Sequence, residues 1–306
     1  MAKLEGKRIL ITGVGGQVAL PVARALAPAN EVFGLARFRR AEDRERIAAL
    51  GVRCVAADLG DGSLDDVPDD VDYVLHFAVA KSRDASFDAD LDANAGGTGR
   101  LLHRCRRARA FLHCSSTGVY EAAGDRRLRE TDPLGDNHRA ILPTYSISKI
   151  AAEAIARFGA REWNVPVTIA RLNVPYGDNG GWPALHLDWM LAGQPIPVHP
   201  SGPSLYNPIH EDDIAAQIPH LLGAASVPAT VFNWAGDETV ALEEWCSHLG
   251  DLVGAPPRFF ATDRTIGSVA VDTSRLHAIA GATRVKWRDG MRRMVAARHP
   301  EVELRV

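Results

Sequence analysis

Cysteine is scarce in this sequence. Its 306 residues hold four, Cys54, Cys105, Cys114 and Cys246, none at a Cys-x-x-Cys spacing, which excludes a disulfide framework. Histidines never fall at a metal-ligand spacing and there is no His-Glu-x-x-His, so no metal site is expected. His210, just before Glu211-Asp212-Asp213, is expected to be structural. No apolar run approaches the ~18 residues of a membrane span, and the start, Met1-Ala2-Lys3-Leu4-Glu5-Gly6-Lys7-Arg8, has no signal-peptide core. Neither sign of charge dominates. The 35 basic and 38 acidic residues leave a formal net charge of -3, which gives no reason to expect nucleic acid or an anionic membrane as partner. The one run that looks basic, Arg100 to Arg109, carries Leu101, Leu102, Cys105 and Ala108 at helical spacing, so its arginines read as a wet face. A cytoplasmic protein with a small-molecule partner is the expectation.

What is present is an average globular composition, 46% hydrophobic and 24% charged, on a length that suggests about two domains. In the first half, short apolar runs alternate with helix-length segments. Arg8 to Ile11, Glu31 to Ala36, Val52 to Val55, Tyr73 to His76, Phe111 to Cys114 and Val167 to Ala170 read as buried strands. Helices are expected from about Val18 to Leu26 and up to Leu50. That alternation predicts a parallel sheet covered on both faces. After Gly177, Pro and Gly become frequent and Trp182 and Trp189 stand among polar residues. Val231 to Trp234 reads as one later strand, and the tail from Ala261 to Val306 as helical and polar.

The first strand runs into Thr12-Gly13-Val14-Gly15-Gly16-Gln17-Val18-Ala19, with Gly13, Gly16 and Ala19 three apart. Glycines at such a junction allow a tight turn and close approach of backbone to a pyrophosphate, beside the free N–H groups of a helix start. At the end of the second strand a carboxylate would bond a ribose 2′-hydroxyl. This chain instead has Leu35-Ala36-Arg37, then Arg39, Arg40 and Arg44, whose guanidinium forks suit a 2′-phosphate. NADP is therefore expected ahead of NAD. The plain alternative is a solvated basic helix, since Glu42, Asp43 and Glu45 interleave.

Tyr145-Ser146-Ile147-Ser148-Lys149 is the sharpest chemical signal. Residues four apart share a helix face, so the Tyr145 hydroxyl and the Lys149 ammonium can meet one ligand. An ordinary Tyr ionises near pH ~10, too high for acid–base work at neutrality, and a neighbouring cation lowers that. Upstream, Ser115-Ser116-Thr117 supplies hydroxyls just after a strand's C-terminal end, where open α/β sheets bind ligands. Ile147, Ala151, Ala154 and Phe158 form a second apolar face on the Tyr145 helix, suited to a homodimer or to core packing.

From Arg8 to about Gly236 the sequence resembles the extended short-chain dehydrogenase/reductase family, including its NAD-dependent epimerase/dehydratase group. The match lies in the order of many short motifs: Thr12-Gly13-x-x-Gly16-x-x-Ala19, Asp58-Leu59, His76-Phe77-Ala78-Val79, Asn94-x-x-Gly97-Thr98 and Ser115-Ser116-Thr117-Gly118-Val119-Tyr120. Glu130-Thr131-Asp132-Pro133, Tyr145 with Lys149, Arg171 with Tyr176-Gly177, and Ile209-His210-Glu211-Asp212-Asp213-Ile214 follow. The resemblance implies an α/β, Rossmann-type doubly wound parallel sheet with a smaller, partly interleaved C-terminal substrate domain. On that basis residues 1–177 are expected to bind the dinucleotide, with 210–236 returning to them, and 178–306 to bind substrate. It implies Tyr145 as acid/base, Lys149 holding the nicotinamide ribose and lowering the Tyr145 pKa, and Ser116 on the substrate oxygen. Cofactor contacts are implied at Gly13, Gly16, Gln17, Val18, Arg37, Asp58, Leu59, Phe77, Ala78, Val79 and Val174, besides Tyr145 and Lys149.

Two positions depart from the sugar-nucleotide members of that family. Where they carry an Asn for the substrate diphosphate this chain has Val174, with Asn173 one place early, and where they carry an Arg it has Tyr206. Buried phosphate without donors is costly, so a nucleotide sugar is disfavoured. Glu121 also replaces the Gly that usually follows Val-Tyr. Trp182, His186, Trp189 and Tyr206 could line an apolar pocket or pack the smaller domain, and Lys81 and Arg83 could meet an anionic group. The expected function is an NAD(P)-dependent oxidoreductase acting on a small carbonyl or secondary alcohol. A sugar-nucleotide epimerase or dehydratase with retained NAD is one alternative. A cofactor-binding redox sensor is another, against which the Tyr145/Lys149 pair weighs.

Overall fold

The computed structural model describes residues 4–60, 63–81 and 86–305. Its centre is a seven-stranded parallel sheet. Six strands are β1 (Arg8–Thr12), β2 (Glu31–Ala36), β3 (Arg53–Ala56), β4 (Tyr73–His76), β5 (Ala110–Ser116) and β6 (Val167–Leu172). Their order is β6, β5, β4, β1, β2, β3, with Thr230–Trp234 added outside β6. The strands formed where apolar runs were read because both faces are covered: Ile9, Leu10 and Ile11 have no exposed surface, and every residue of β5 and β6 is buried. The strand order reverses between β1 and β4, which is where an open α/β sheet leaves a crevice at its C-terminal edge.

Five helices matter for the site: α1 (Ala19–Leu26), α2 (Ala41–Ala48), α3 (Phe87–Leu91), α4 (Gly97–Arg104) and α5 (Tyr145–Glu162). On α4 and the turn after it Leu101, Leu102, Cys105 and Ala108 are buried, as their spacing predicts. The nearby arginines are engaged locally. Arg100 holds Asp92 and the Leu59 carbonyl, Arg104 holds the Val67 carbonyl, and Arg107 and Arg109 pair with Asp69 and Asp72. On α5, Ile147 and Phe158 are exposed.

The chain divides into two compact units that interleave more finely than the sequence suggests. The first comprises residues 1–116, 144–171 and 215–232; the second comprises 117–143, 172–214 and 233–306. The expected single boundary at residue 177 differs from this: the excursion at 117–143 carried no composition signal, and the returning segment is 215–232 rather than 210–236. In the second unit, small sheets of two and three short strands surround one apolar core that includes Tyr176, Leu187, Tyr206, Trp245 and Met291. The tail is only partly helical, with helices at Ser274–Ala280 and Trp287–Arg298 after a strand at Phe259–Ala261. Among the described residues no helix is long and apolar enough to cross a membrane.

Candidate active site

Gly13 turns the chain at the end of β1 with φ at +65°, and a Cβ there would lie 2.9 Å from the Ala78 Cα. Its N–H donates to the Leu35 carbonyl (2.8 Å), and the Gly16 N–H donates back to the Gly13 carbonyl (2.7 Å), closing the turn ahead of α1. The backbone is thus pressed between β2 and the segment after β4, and a cavity of about 420 Å³ opens along the strand ends. Of the residues expected to contact a cofactor, Gly13, Gly16, Arg37, Asp58, Leu59, Phe77, Ala78 and Val79 line it. Gln17, Val18, Tyr145 and Lys149 are not among its lining residues, and Val174 belongs to the second unit. Ala80, Asn94 and Arg46 also line it and were not singled out as contacts from sequence. Arg37 lies 3.8 Å from Asp58, both well exposed, a pair worth little in stability.

A chain of hydrogen bonds ties this turn to α5. The Ala78 N–H donates to Thr12 Oγ1 (3.0 Å), which leaves the Thr12 hydroxyl to donate to His76 Nδ1 (2.7 Å). His76 Nε2–H then donates to Thr98 Oγ1 (3.0 Å), whose hydroxyl donates to the Asn94 carbonyl (2.6 Å). The network assigns this tautomer, and a neutral ring fits it: burial, with Lys149 adding, pushes the His76 pKa down to about 3. Asn94 sits on a π-helical turn, Asp92–Gly96, inserted between α3 and α4. Its side chain accepts from the Ala80 N–H (2.7 Å) and donates to the Ala80 carbonyl (3.0 Å) and to Ser148 Oγ (3.1 Å). Ser148 in turn donates to the Tyr145 carbonyl (3.0 Å).

Ser116, Tyr145 and Lys149 come together where β5 ends and α5 begins. The Ser116 side chain hydrogen-bonds the Tyr145 hydroxyl. Lys149 is buried and its Nζ donates to the Cys114 carbonyl at 2.7 Å. The Lys81 Nζ lies 4.9 Å from the centre of the Tyr145 ring, within cation–π range, while Arg83 is outside the described residues. Desolvation pushes the Tyr145 phenol up to about 12 against the pull of the Ser116 hydrogen bond. The lowering of Tyr145 by Lys149 expected from sequence is therefore not what dominates in the protein alone. One turn after Lys149, the buried Glu153 accepts from Ser115 Oγ (2.6 Å) and Arg171 Nε (2.9 Å) through Oε1, and from Arg171 Nη2 (2.8 Å) through Oε2.

The two departures have structural employment in the second unit. Asn173 donates to the Val269 carbonyl (2.8 Å) and accepts from the Val174 and Asn207 N–H groups (2.9 and 3.1 Å). The Tyr206 hydroxyl reaches the Ile266 and Gly267 carbonyls, both at 2.9 Å, and its ring packs on Trp182 and Trp245. Trp182, His186 and Trp189 join that aromatic cluster, with His186 Nδ1 accepting from the Trp245 indole at 3.0 Å, so these rings pack the unit. His210 Nδ1 accepts the Asp212 N–H at 3.1 Å. No cluster suited to a metal ion occurs among the described residues.

The model of the NAD dependent epimerase/dehydratase family matches residues 9–235. The chain belongs to that family. Among its curated relatives is the trifunctional UDP-glucose 4,6-dehydratase/UDP-4-keto-6-deoxy-D-glucose 3,5-epimerase/UDP-4-keto-L-rhamnose-reductase RHM3 of Arabidopsis thaliana, 26% identical over 96% of this chain. The chain spans about half the length of that plant protein (47%). The dTDP-glucose 4,6-dehydratase of Mycolicibacterium smegmatis is 27% identical over 73% of the chain and 71% of the relative. Among solved structures, DesIV, a dTDP-glucose 4,6-dehydratase from Streptomyces venezuelae with NAD and TYD bound, superposes with a TM-score of 0.80 at 25% identity, covering 95% and 96% of the two chains. The UDP-glucuronic acid 4-epimerase of Bacillus cereus, in complex with UDP-glucuronic acid and NAD, shares the fold (TM-score 0.80, 19% identity, 96% and 99% covered).

Proposed function

We propose that this family member is an NAD(P)-dependent enzyme of the epimerase type, which oxidises a secondary hydroxyl on a sugar-like ring and then returns the hydride to the same substrate. The observation that carries the reading is the meeting of Ser116, Tyr145 and Lys149 at the C-terminal edge of the sheet. Tyr145 takes the proton of the substrate hydroxyl and returns it, while Ser116 hydrogen-bonds the same oxygen. The pinched turn at Gly13 and the cavity beside it fit a nicotinamide dinucleotide, which when bound supplies the hydride acceptor. Arg37 and Arg39 line that cavity at the end of β2 and favour accommodation of a 2′-phosphate, so NADP is proposed alongside the NAD of the relatives. Several relatives are 4,6-dehydratases, so loss of water after the same oxidation is the second outcome to be tested.

The relatives, all named as enzymes of UDP- or dTDP-sugars, favour a nucleotide-sugar substrate over the small carbonyl expected from sequence. That second reading keeps one specific support, the structural employment of Asn173 and Tyr206 where diphosphate contacts would be needed. One experiment separates them. The purified protein is denatured to identify retained NAD or NADP, then the native protein is incubated with UDP-glucose or UDP-glucuronic acid and followed by NMR. Inversion of one ring carbon without accumulation of reduced nicotinamide supports the epimerase, and net reduced cofactor supports the dehydrogenase. Tyr145→Phe is expected to abolish turnover and leave cofactor binding nearly intact; full activity in that variant overturns the assignment.

A further inference from the structure

Thr144 occupies the N-cap of α5, where a threonine hydroxyl ordinarily accepts from a backbone N–H two or three residues on. Here the hydroxyl makes no such cap. It donates instead to Asp90 Oδ2, on α3, at 2.5 Å. Both side chains are buried, Asp90 at 2% exposure and Thr144 at 6%. A carboxylate withdrawn from water is costly unless it is met, and this one meets a hydroxyl at the positive end of an 18-residue helix. A second bond between the same two stretches of chain joins Asn94 Nδ2 to Ser148 Oγ at 3.1 Å. Each bond links residues 54 positions apart, and the two lie one helical turn apart on either partner. Residues so spaced share a helix face, so the two stretches run parallel in one register, joined by two polar rungs. Tyr145 stands between these rungs, following Thr144 directly and with its carbonyl accepting from Ser148 Oγ at 3.0 Å.

We infer that Asp90 is a positioning residue for Tyr145: through the Thr144 hydroxyl it fixes where α5 begins, and so where the Tyr145 hydroxyl stands against Ser116. The inference rests on the assignment of Tyr145 as acid/base made above. Asp90 is not among the residues that line the cofactor cavity, so its influence on the reaction passes through Thr144. Apolar packing lets a helix slide or tilt by a fraction of a residue, whereas a short, directional hydrogen bond to a carboxylate does not. The Tyr145 hydroxyl is bonded to the Ser116 side chain at the end of β5, so any displacement of the first turn of α5 is felt at that bond. Misplacing a reacting group by about 1 Å costs on the order of 10²-fold in rate, which sets the scale of what such a rung can protect.

The test compares variants of the full-length protein on UDP-glucose or UDP-glucuronic acid. Thr144→Val keeps the shape and removes the hydroxyl. It is expected to lower kcat by roughly ten- to a hundredfold, with KM and the amount of bound nicotinamide nearly unchanged. Thr144→Ser, which keeps the hydroxyl, is expected to recover most of that rate. Asp90→Ala should match Thr144→Val, and the double variant should be no slower than the slower single one, because both changes remove one interaction. If Asp90→Ala does not fold, Thr144→Val against Thr144→Ser decides. Wild-type kcat in Thr144→Val, a loss that Thr144→Ser does not recover, or losses that multiply in the double variant would overturn the inference. Tyr145→Phe is run alongside. Full activity there defeats the acid/base assignment, while an inactive Tyr145→Phe beside an unimpaired Thr144→Val defeats only the positioning role. A readout free of turnover is the NMR resonance of the Tyr145 Cζ in isotope-labelled protein, identified by its loss in Tyr145→Phe. It should move in Thr144→Val and return in Thr144→Ser, and a resonance that stays in place in Thr144→Val would also overturn the inference.

Discussion

Tyr145 stands under opposed influences. Desolvation holds its proton on, to a pKa of about 12, and the Ser116 hydrogen bond pulls the other way. A base must lose that proton before it can accept one from a substrate, so the oxidation half-reaction is expected to quicken as pH rises. Ser116→Ala removes the interaction that favours phenolate. It should move the rise to higher pH and lower the rate by roughly 10²–10³-fold, as loss of one oxyanion donor does. A pH–rate profile of single-turnover oxidation checks this, and a profile unchanged in position would remove Ser116 from the assignment. Ser116, Tyr145 and Lys149 were legible in the sequence because helix spacing and strand-end position are local properties. The Asn94 side-chain contacts and the His76 tautomer were not, because each depends on partners 14 to 64 residues away.

Among the elements, β5, α5 and β6 are pinned by one buried carboxylate. Glu153 on α5 binds Ser115 on β5 and Arg171 on β6, and both charged side chains of the ion pair are 2% exposed. Glu153→Ala would leave the Arg171 charge buried without its partner, and a loss of about 3–5 kcal/mol in urea unfolding is expected. Pairing Arg171→Met with Glu153→Leu should recover most of that loss, because an apolar pair of similar volume carries no stranded charge. If the single variant costs no more than the double, the ion pair does not brace these elements. The limits of β2 and β4 follow directly from their apolar runs. The π-helical turn at Asp92–Gly96 left no such trace, since its extra residue per turn is fixed by the side-chain anchoring of Asn94 rather than by periodicity.

At the scale of the whole molecule, His76, His113 and His186 are among the buried histidines held in neutral form. Burial pushes His76 and His186 from 6.5 down to about 3, and His113 in the same direction. In the unfolded chain these rings take up protons below about pH 6.5, whereas the folded protein resists until about pH 3. The unfolded state therefore binds more protons in that window. Stability is expected to be full above pH 6.5 and to fall as pH drops toward 3, most steeply where all three contribute. Urea-unfolding midpoints measured across the window check this, and a flat profile would contradict it. His186 lies in the second unit and the other two in the first, so both units should loosen in acid.

The sequence by itself determined the sheet, the glycine turn after β1 and the shared helix face of Tyr145 and Lys149. Unbroken apolar runs, glycine at a strand–helix junction and residues four apart on a helix are all written within a few positions of one another. Only the tertiary structure decided which residues belong to which unit, since an excursion such as 117–143 is defined by the partners it packs on rather than by its own composition. The same holds for Asn173 and Tyr206. Their side chains are of kinds that could serve a ligand, and only the distant carbonyls of Val269, Ile266 and Gly267 show that they hold the protein instead.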